Sequence, residues 1–111
     1  MSKYRSKKVV VDGITFDSKR ESQRYCELKL LERCGKIKDL KLQPKFELQP
    51  SFKKNGRTIR AITYVADFTY FDLETMRNVV EDVKGFKTKD YILKKKMFEF
   101  NFPELTIVEV K

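Results

Sequence analysis

The chain has no histidine and no tryptophan, and only two cysteines, four glycines and three prolines among 111 residues. Without His, a zinc finger, a His-ligated nuclease centre, a Ser-His-Asp triad and a Cys-His pair are all excluded. Cys26 and Cys34 lie eight residues apart on one expected helix, about 12 Å by helical rise. That exceeds the roughly 7 Å Cα reach of a disulfide, so both are expected as reduced core thiols. No apolar run approaches the roughly 20 residues that span a bilayer, and the N-terminus lacks a signal-peptide apolar region. The expectation is a cytoplasmic protein without membrane contact. Its chemistry must run on carboxylates and lysines.

What is abundant is positive charge. The 25 Lys and Arg against 16 Asp and Glu leave a formal net charge of +9, a surface that attracts a polyanion with salt-sensitive affinity. Nucleic acid, DNA first, is the expected partner. At 111 residues the chain is expected to form one domain, 1–111, with no separate catalytic and binding halves.

Met1 to Lys8 carries four basic residues and few apolar anchors, and reads as a flexible basic arm. Asp12-Gly13 between Val9-Val10-Val11 and Ile14-Thr15-Phe16 signals a hairpin. Ser18 and Glu21 form an S-x-x-E capping box and Gly35 follows the last periodic residue, which predicts a helix over Lys19 to Cys34 with Tyr25, Leu28 and Leu31 inward. Ile37 to Gln49 is an expected strand bent at Pro44, and Pro50 to Arg60 a polar loop or hairpin tip. Ala61 to Phe71 and Val79 to Val83 are expected as antiparallel strands joined by the turn Asp72 to Asn78. Lys89 to Phe100 reads as a helix with Leu93, Met97 and Phe100 on its inner side, followed by a last strand, Leu105 to Val110. The connection implies a right-handed parallel β-α-β unit.

Strand alternation points Asp82 and Lys84 the same way and Glu81 and Val83 the other. A turn centred between Glu74 and Thr75 sets Asp67 opposite Asp82, Val65 opposite Lys84 and Asp72 opposite Arg77. Two carboxylates that close repel by about 4 kcal/mol at an effective dielectric of 20, and a Mg²⁺ or Mn²⁺ ion turns that repulsion into binding. Lys84 beside the ion can hydrogen-bond an attacking water or a phosphate oxygen. Glu21 precedes Tyr25 and Leu28 by four and seven residues, so it shares the inward stripe and offers a third carboxylate, alongside its capping role. Glu81 is an alternative metal contact through a bulge or register shift, or else a salt-bridged face residue. Lys53, Lys54, Arg57, Lys87, Lys89 and the run Lys94-Lys95-Lys96 are candidate phosphate contacts, the run being split between solvent and phosphate. Tyr64, Phe68, Tyr70 and Phe71 are assigned to the core rather than to base stacking.

Glu21 on the first helix, Asp67 within Tyr-Val-Ala-Asp-Phe and then Asp82-Val83-Lys84 before a helix resemble the PD-(D/E)xK nuclease superfamily. More narrowly, Phe16 to Glu21, Leu42 to Phe46 and Val80 to Gly85 resemble a small phage and prophage family described as Holliday-junction-resolvase-like. The resemblance implies an α/β fold, a restriction-endonuclease-like α-β-β-β-α-β core with a mixed sheet flanked by helices, here preceded by the small N-terminal hairpin. It also implies Mg²⁺-dependent phosphodiester hydrolysis, Asp67 and Asp82 as metal ligands, the Val83 carbonyl completing the set, Lys84 as the water-orienting residue and a role for Glu21. Ala66 stands where the superfamily's proline would, and Asp82 where Glu is commoner.

The expected function is a DNA endonuclease of phage or mobile-element origin acting on branched or recombination-derived DNA, the branched preference resting on the resemblance alone. Symmetric cutting of a four-way junction would require a homodimer. The alternatives are a non-catalytic nucleic-acid-binding module and a nuclease subunit targeted by a partner protein. No small-molecule cofactor is expected.

Overall fold

The computed structural model describes residues 7–111. Residues 1–6 of the expected basic arm lie outside the described residues, and Lys7 and Lys8 are exposed. Asp12 and Gly13 adopt left-handed φ angles of 55° and 74°, closing β1 (Val9–Val11) onto β2 (Ile14–Phe16) as the expected two-residue hairpin. Ser18 then caps α1 (Lys19–Arg33), its hydroxyl accepting the Glu21 N–H at 3.1 Å. At the other end Gly35 turns left-handed (φ 75°) and Lys36 N–H reaches back to the Leu31 carbonyl at 2.9 Å, which satisfies an otherwise orphaned acceptor. Tyr25 and Leu28 are buried and Leu31 packs beside them. Cys26 and Cys34 are exposed, which corrects their assignment to the core. Cys26 follows the buried Tyr25 by one residue and so lies about 100° around the helix from the inward stripe.

From Ile37 to Asp72 the chain is one long two-stranded ribbon. β3 (Ile37–Leu42) pairs with β8 (Phe68–Asp72), β4 (Lys45–Gln49) with β7 (Ile62–Val65) and β5 (Phe52–Lys54) with β6 (Arg57–Ile59), all antiparallel. Asn55 and Gly56, both left-handed, form its tip. Paired residue numbers add to 109 at Ile37–Asp72, to 110 from Lys41–Thr69 to Glu47–Thr63, and to 111 from Gln49–Ile62 to Lys54–Arg57. Two one-residue bulges therefore bend a single register. The expected strand Ala61 to Phe71 is divided at Ala66-Asp67, opposite Gln43-Pro44, where Ala66 N–H bonds the Pro44 carbonyl and Gln43 N–H the Asp67 carbonyl. In consequence Val65 lies opposite Lys45 rather than Lys84.

β9 (Arg77–Val83) returns along β8 in the expected register, with Phe68 opposite Glu81 and Asp72 opposite Arg77. The turn is shorter than expected because pairing persists to Asp72 and Arg77. After α2 (Lys89–Asn101), capped by Thr88, β10 (Ile107–Val110) lies parallel to β9. The result is a mixed four-stranded sheet in the order β10-β9-β8-β3.

Alternation along β9 separates two cores. Val79 and Val83 join Phe68 and Tyr70 under Phe16, Tyr25 and Leu28, whereas Val80 joins Tyr64, Ala66 and Ile107 under Tyr91 and Phe98 of α2. The expected inner side of α2 is corrected here: Leu93 and Phe100 are exposed, Met97 only partly buried, and Tyr91 and Phe98 point inward. The Phe98 ring stands 5.0 Å from that of Phe46 and 5.4 Å from that of Tyr64, so aromatic packing on the ribbon sets the rotation of the helix.

Candidate carboxylate and lysine site

The division between β7 and β8 leaves Asp67 just before β8, where its N–H bonds the Glu81 carbonyl at 3.1 Å, one residue out of step with the β8–β9 register, so the expected pairing of Asp67 opposite Asp82 gives way to a local bulge. Asp67 Oδ2 accepts the Val83 N–H at 2.7 Å. Asp82 and Glu21 lie near enough to its carboxyl group to act on its ionisation. Lys84 Nζ is 3.2 Å from Asp82 Oδ1 and stands 4.5 Å over the Tyr91 ring, while the Tyr64 hydroxyl donates to Asp82 Oδ2. Glu21, Asp67, Asp82 and Lys84, expected from the sequence to share a site, are thus brought together.

Burial is the largest influence on Asp67 and Glu21. It pushes Asp67 up to about 8; the nearby Asp82 and Glu21 charges add to the rise and the Val83 N–H opposes it. Glu21, 5% exposed, is raised by burial and then by Asp17. The Tyr64 hydroxyl is raised by burial and by its bond to Asp82. Asp67 therefore keeps a proton near neutral pH, and Glu21, Asp67 and Asp82 each act on one another's ionisation or lie close enough to do so.

Glu81 is placed elsewhere. It faces α1, where Arg24 Nε and Nη2 donate to its two oxygens at 2.8 and 2.6 Å and Tyr70 donates to Oε2. The β8–β9 pairing runs without a shift from Phe68 to Asp72. The alternative in which Glu81 contacts metal through a bulge is therefore corrected: its lone pairs are engaged on the opposite face of the sheet, and its bond holds the Arg24 guanidinium above its ordinary pKa.

The candidate phosphate contacts divide. Lys87 and Lys95 pair with Glu109 at 2.8 and 3.1 Å, Lys94 lies 3.7 Å from Asp90, and Lys89 and Lys96 are exposed. Lys53, Lys54 and Arg57 sit at the exposed ribbon tip, away from the carboxylates. Glu109 was missed from the sequence. It lies beside Asp82 in the parallel pair, accepts the Tyr91 hydroxyl at 2.8 Å and is held down to about 2, chiefly by Lys87 and then by Tyr91. The signal was available: a parallel last strand sets Glu109 level with Asp82. The Tyr64 and Tyr91 hydroxyls were concealed because both rings read as core.

The donors are all hard oxygens, the chemistry that suits Mg²⁺ or Mn²⁺ rather than zinc. In extended backbone a residue's N–H and C=O leave by the same edge, so the Val83 carbonyl lies on the Asp67 side. Among the described residues no three acidic side chains are already disposed as an ion cage. No helix among the described residues is long and apolar enough to cross a membrane.

A family model described as “Protein of unknown function (DUF1064)” matches residues 1–111. Nothing among the curated proteins or the solved structures matches the chain.

Proposed function

The chain belongs to the DUF1064 family, and we propose that it is a divalent-metal-dependent DNA endonuclease of the PD-(D/E)xK type on a restriction-endonuclease-like core. The proposed substrate is branched or recombination-derived DNA of a phage or mobile element inside the cell. One observation carries this reading. Asp67 and Asp82 are forced together inside a strongly basic protein, with Asp67 kept protonated near neutrality and Lys84 fixed beside them. A structural ion pair would be neutralised, as Glu81 is, whereas an excess of buried acid is the arrangement a cation site requires.

Asp67, Asp82 and the Val83 carbonyl would hold the ion, with Glu21 at its margin. Bound there, Mg²⁺ or Mn²⁺ supplies a Lewis acid that stabilises phosphate charge and acidifies water. Asp82 is oriented by Tyr64 and Lys84. The Lys84 ammonium, held between Asp82 and the Tyr91 ring, donates to an attacking water or a phosphate oxygen. Glu109 fixes Tyr91 and so supports that position. Two-fold cutting of a junction would require a homodimer.

The test is incubation with supercoiled, linear and four-way-junction DNA in Mg²⁺ and in chelator, with Lys84→Ala beside the wild type. Metal-dependent products that Lys84→Ala fails to give support the enzyme, and identical products from both expose a contaminant. The second reading is a non-catalytic nucleic-acid-binding module, favoured by the engagement of both Asp82 oxygens and by the lack of a preformed cage among the described residues. Calorimetric Mn²⁺ binding that Asp67→Asn abolishes decides for the enzyme. Metal-independent DNA binding without cleavage decides for the module or for a subunit directed by a partner.

A further inference from the structure

The far end of the ribbon is built unlike the rest of the protein. Every residue from Ser51 to Arg60 is exposed, and β5–β6 makes no extended contact with any other element. This stretch contains Lys53, Lys54, Arg57 and Arg60 and no acid. Among the described residues none of the four takes part in an ion pair, whereas Lys87, Lys94 and Lys95 are all paired locally. A segment that existed only to connect β4 to β7 would be shorter, since Gln49 opposite Ile62 is already a pair that a two-residue turn can close. The Cα radius of gyration, 16.0 Å, exceeds the roughly 13 Å of a compact chain of this length, as a projecting arm requires.

The arm's faces differ. Phe52 lies opposite Ile59 and Lys54 opposite Arg57, so strand alternation places an exposed apolar pair and a cationic pair on one side, with Lys53 and Thr58 on the other. Phe52 and Ile59 are 45% and 38% exposed, a cost that isolated packing does not explain. Apolar side chains flanked by unpaired cations complement a nucleic-acid groove, where phosphates line the walls and thymine methyls and sugars the floor. The B-form major groove, about 12 Å wide, admits a two-stranded β-ribbon.

We infer that β5–β6 is a DNA-binding arm that enters the major groove of duplex DNA, with Lys53, Lys54, Arg57 and Arg60 on phosphates and Phe52 and Ile59 against the groove floor. This rests on the endonuclease reading only for what is bound, not for what is cut. Ten residues of ribbon separate Asp67 from Arg57, a reach of up to about 33 Å at about 3.3 Å per residue. That is close to one turn of duplex. The arm grips DNA about one turn from the phosphate at Asp67 and Asp82.

The experiment uses the full chain in chelator, with a fluorescent 30-base-pair duplex and a four-way junction, titrated at several salt concentrations. The triple variant Lys53→Ala, Lys54→Ala, Arg57→Ala is expected to weaken binding at least tenfold and to lower the slope of log affinity against log salt by about 2 to 3. Phe52→Ala with Ile59→Ala is expected to weaken binding with the slope unchanged. Replacing Pro50–Ala61 by Asn-Gly should leave thermal stability near that of the wild type and reproduce the triple variant. Wild-type affinity and slope in the triple variant and in the deletion overturn the arm and leave the nuclease reading intact. Arm-dependent binding without any metal-dependent cleavage sustains the arm and overturns the nuclease. Tighter binding to an RNA duplex, whose major groove is too narrow for a ribbon, overturns the groove assignment.

Discussion

Glu81 and Asp82 are consecutive residues of one strand, each 1% exposed, and the protein treats them in opposite ways. On the α1 side Glu81 receives two guanidinium donors from Arg24 and one hydroxyl from Tyr70, a closed and neutral arrangement. On the α2 side Asp82 receives one lysine and one hydroxyl but also has the Asp67 carboxyl close by, with Glu21 of α1 near both. The first group is a fastening between helix and sheet. The second holds more acid than base, and folding alone gives no reason to keep it. Burial of charge is therefore a poor mark of function in this chain. The discriminating property is burial of more carboxyl groups than the neighbouring bases can pair, so that one of them holds a proton instead.

The sharpest way to break the comparison is to open the closed side. Arg24→Ala leaves Glu81 buried without its cation and should destabilise the protein by about 3 to 5 kcal/mol, read from denaturant unfolding. If the cost is under about 1 kcal/mol, Glu81 is not fastened as described. Next, Lys84→Ala removes one positioned donor from the open side and is expected to reduce metal-dependent cleavage about 100- to 1000-fold, read at a temperature where circular dichroism shows both proteins folded, since buried Asp82 also loses its cation.

The third test follows proton linkage. Asp67 titrates near 3.8 when unfolded and near 8 when folded, so the folded state binds the extra proton and its contribution to stability is full below about pH 4 and lost as pH rises through 8. Asp67→Asn keeps an acceptor for the Val83 N–H and removes the titration. The variant should show a flatter dependence of melting temperature on pH between 4 and 8, ending more stable than the wild type at pH 8. A wild type whose stability is level across that window would show that Asp67 is not strained by its neighbours. The smallest effect is expected at Cys26 and Cys34: being exposed, their replacement by Ser should change unfolding free energy by no more than about 0.5 kcal/mol.

Much of this was legible beforehand where the signal is local. The Asp12-Gly13 and Gly35 geometries follow from which residues tolerate positive φ. The β8–β9 register follows from a short turn and from strand alternation, which is why Asp82 and Lys84 could be placed on one face, with Asp67 near them, without coordinates. Glu21 was legible because helix periodicity put it on the stripe of Tyr25 and Leu28. The inner face of α2 was misread since Leu93 and Phe100 offer the same spacing as Tyr91 and Phe98, and only the ribbon beneath decides between the two stripes.

Composition and local pattern by themselves determined the charge of the surface, the caps and turns, the order of strands and helices and the side of β9 on which each acid falls, because each depends on neighbours a few residues away. Only the tertiary structure decided which acid is neutralised. Arg24 and Glu81 are 57 residues apart, and so far apart in sequence that no periodicity links them. The same holds for Tyr64 on Asp82 and Tyr91 on Glu109. Whether a buried carboxylate closes a structure or opens a site depends on the groups that long-range packing brings to it, and that is a property of the assembled sheet and helices rather than of any segment.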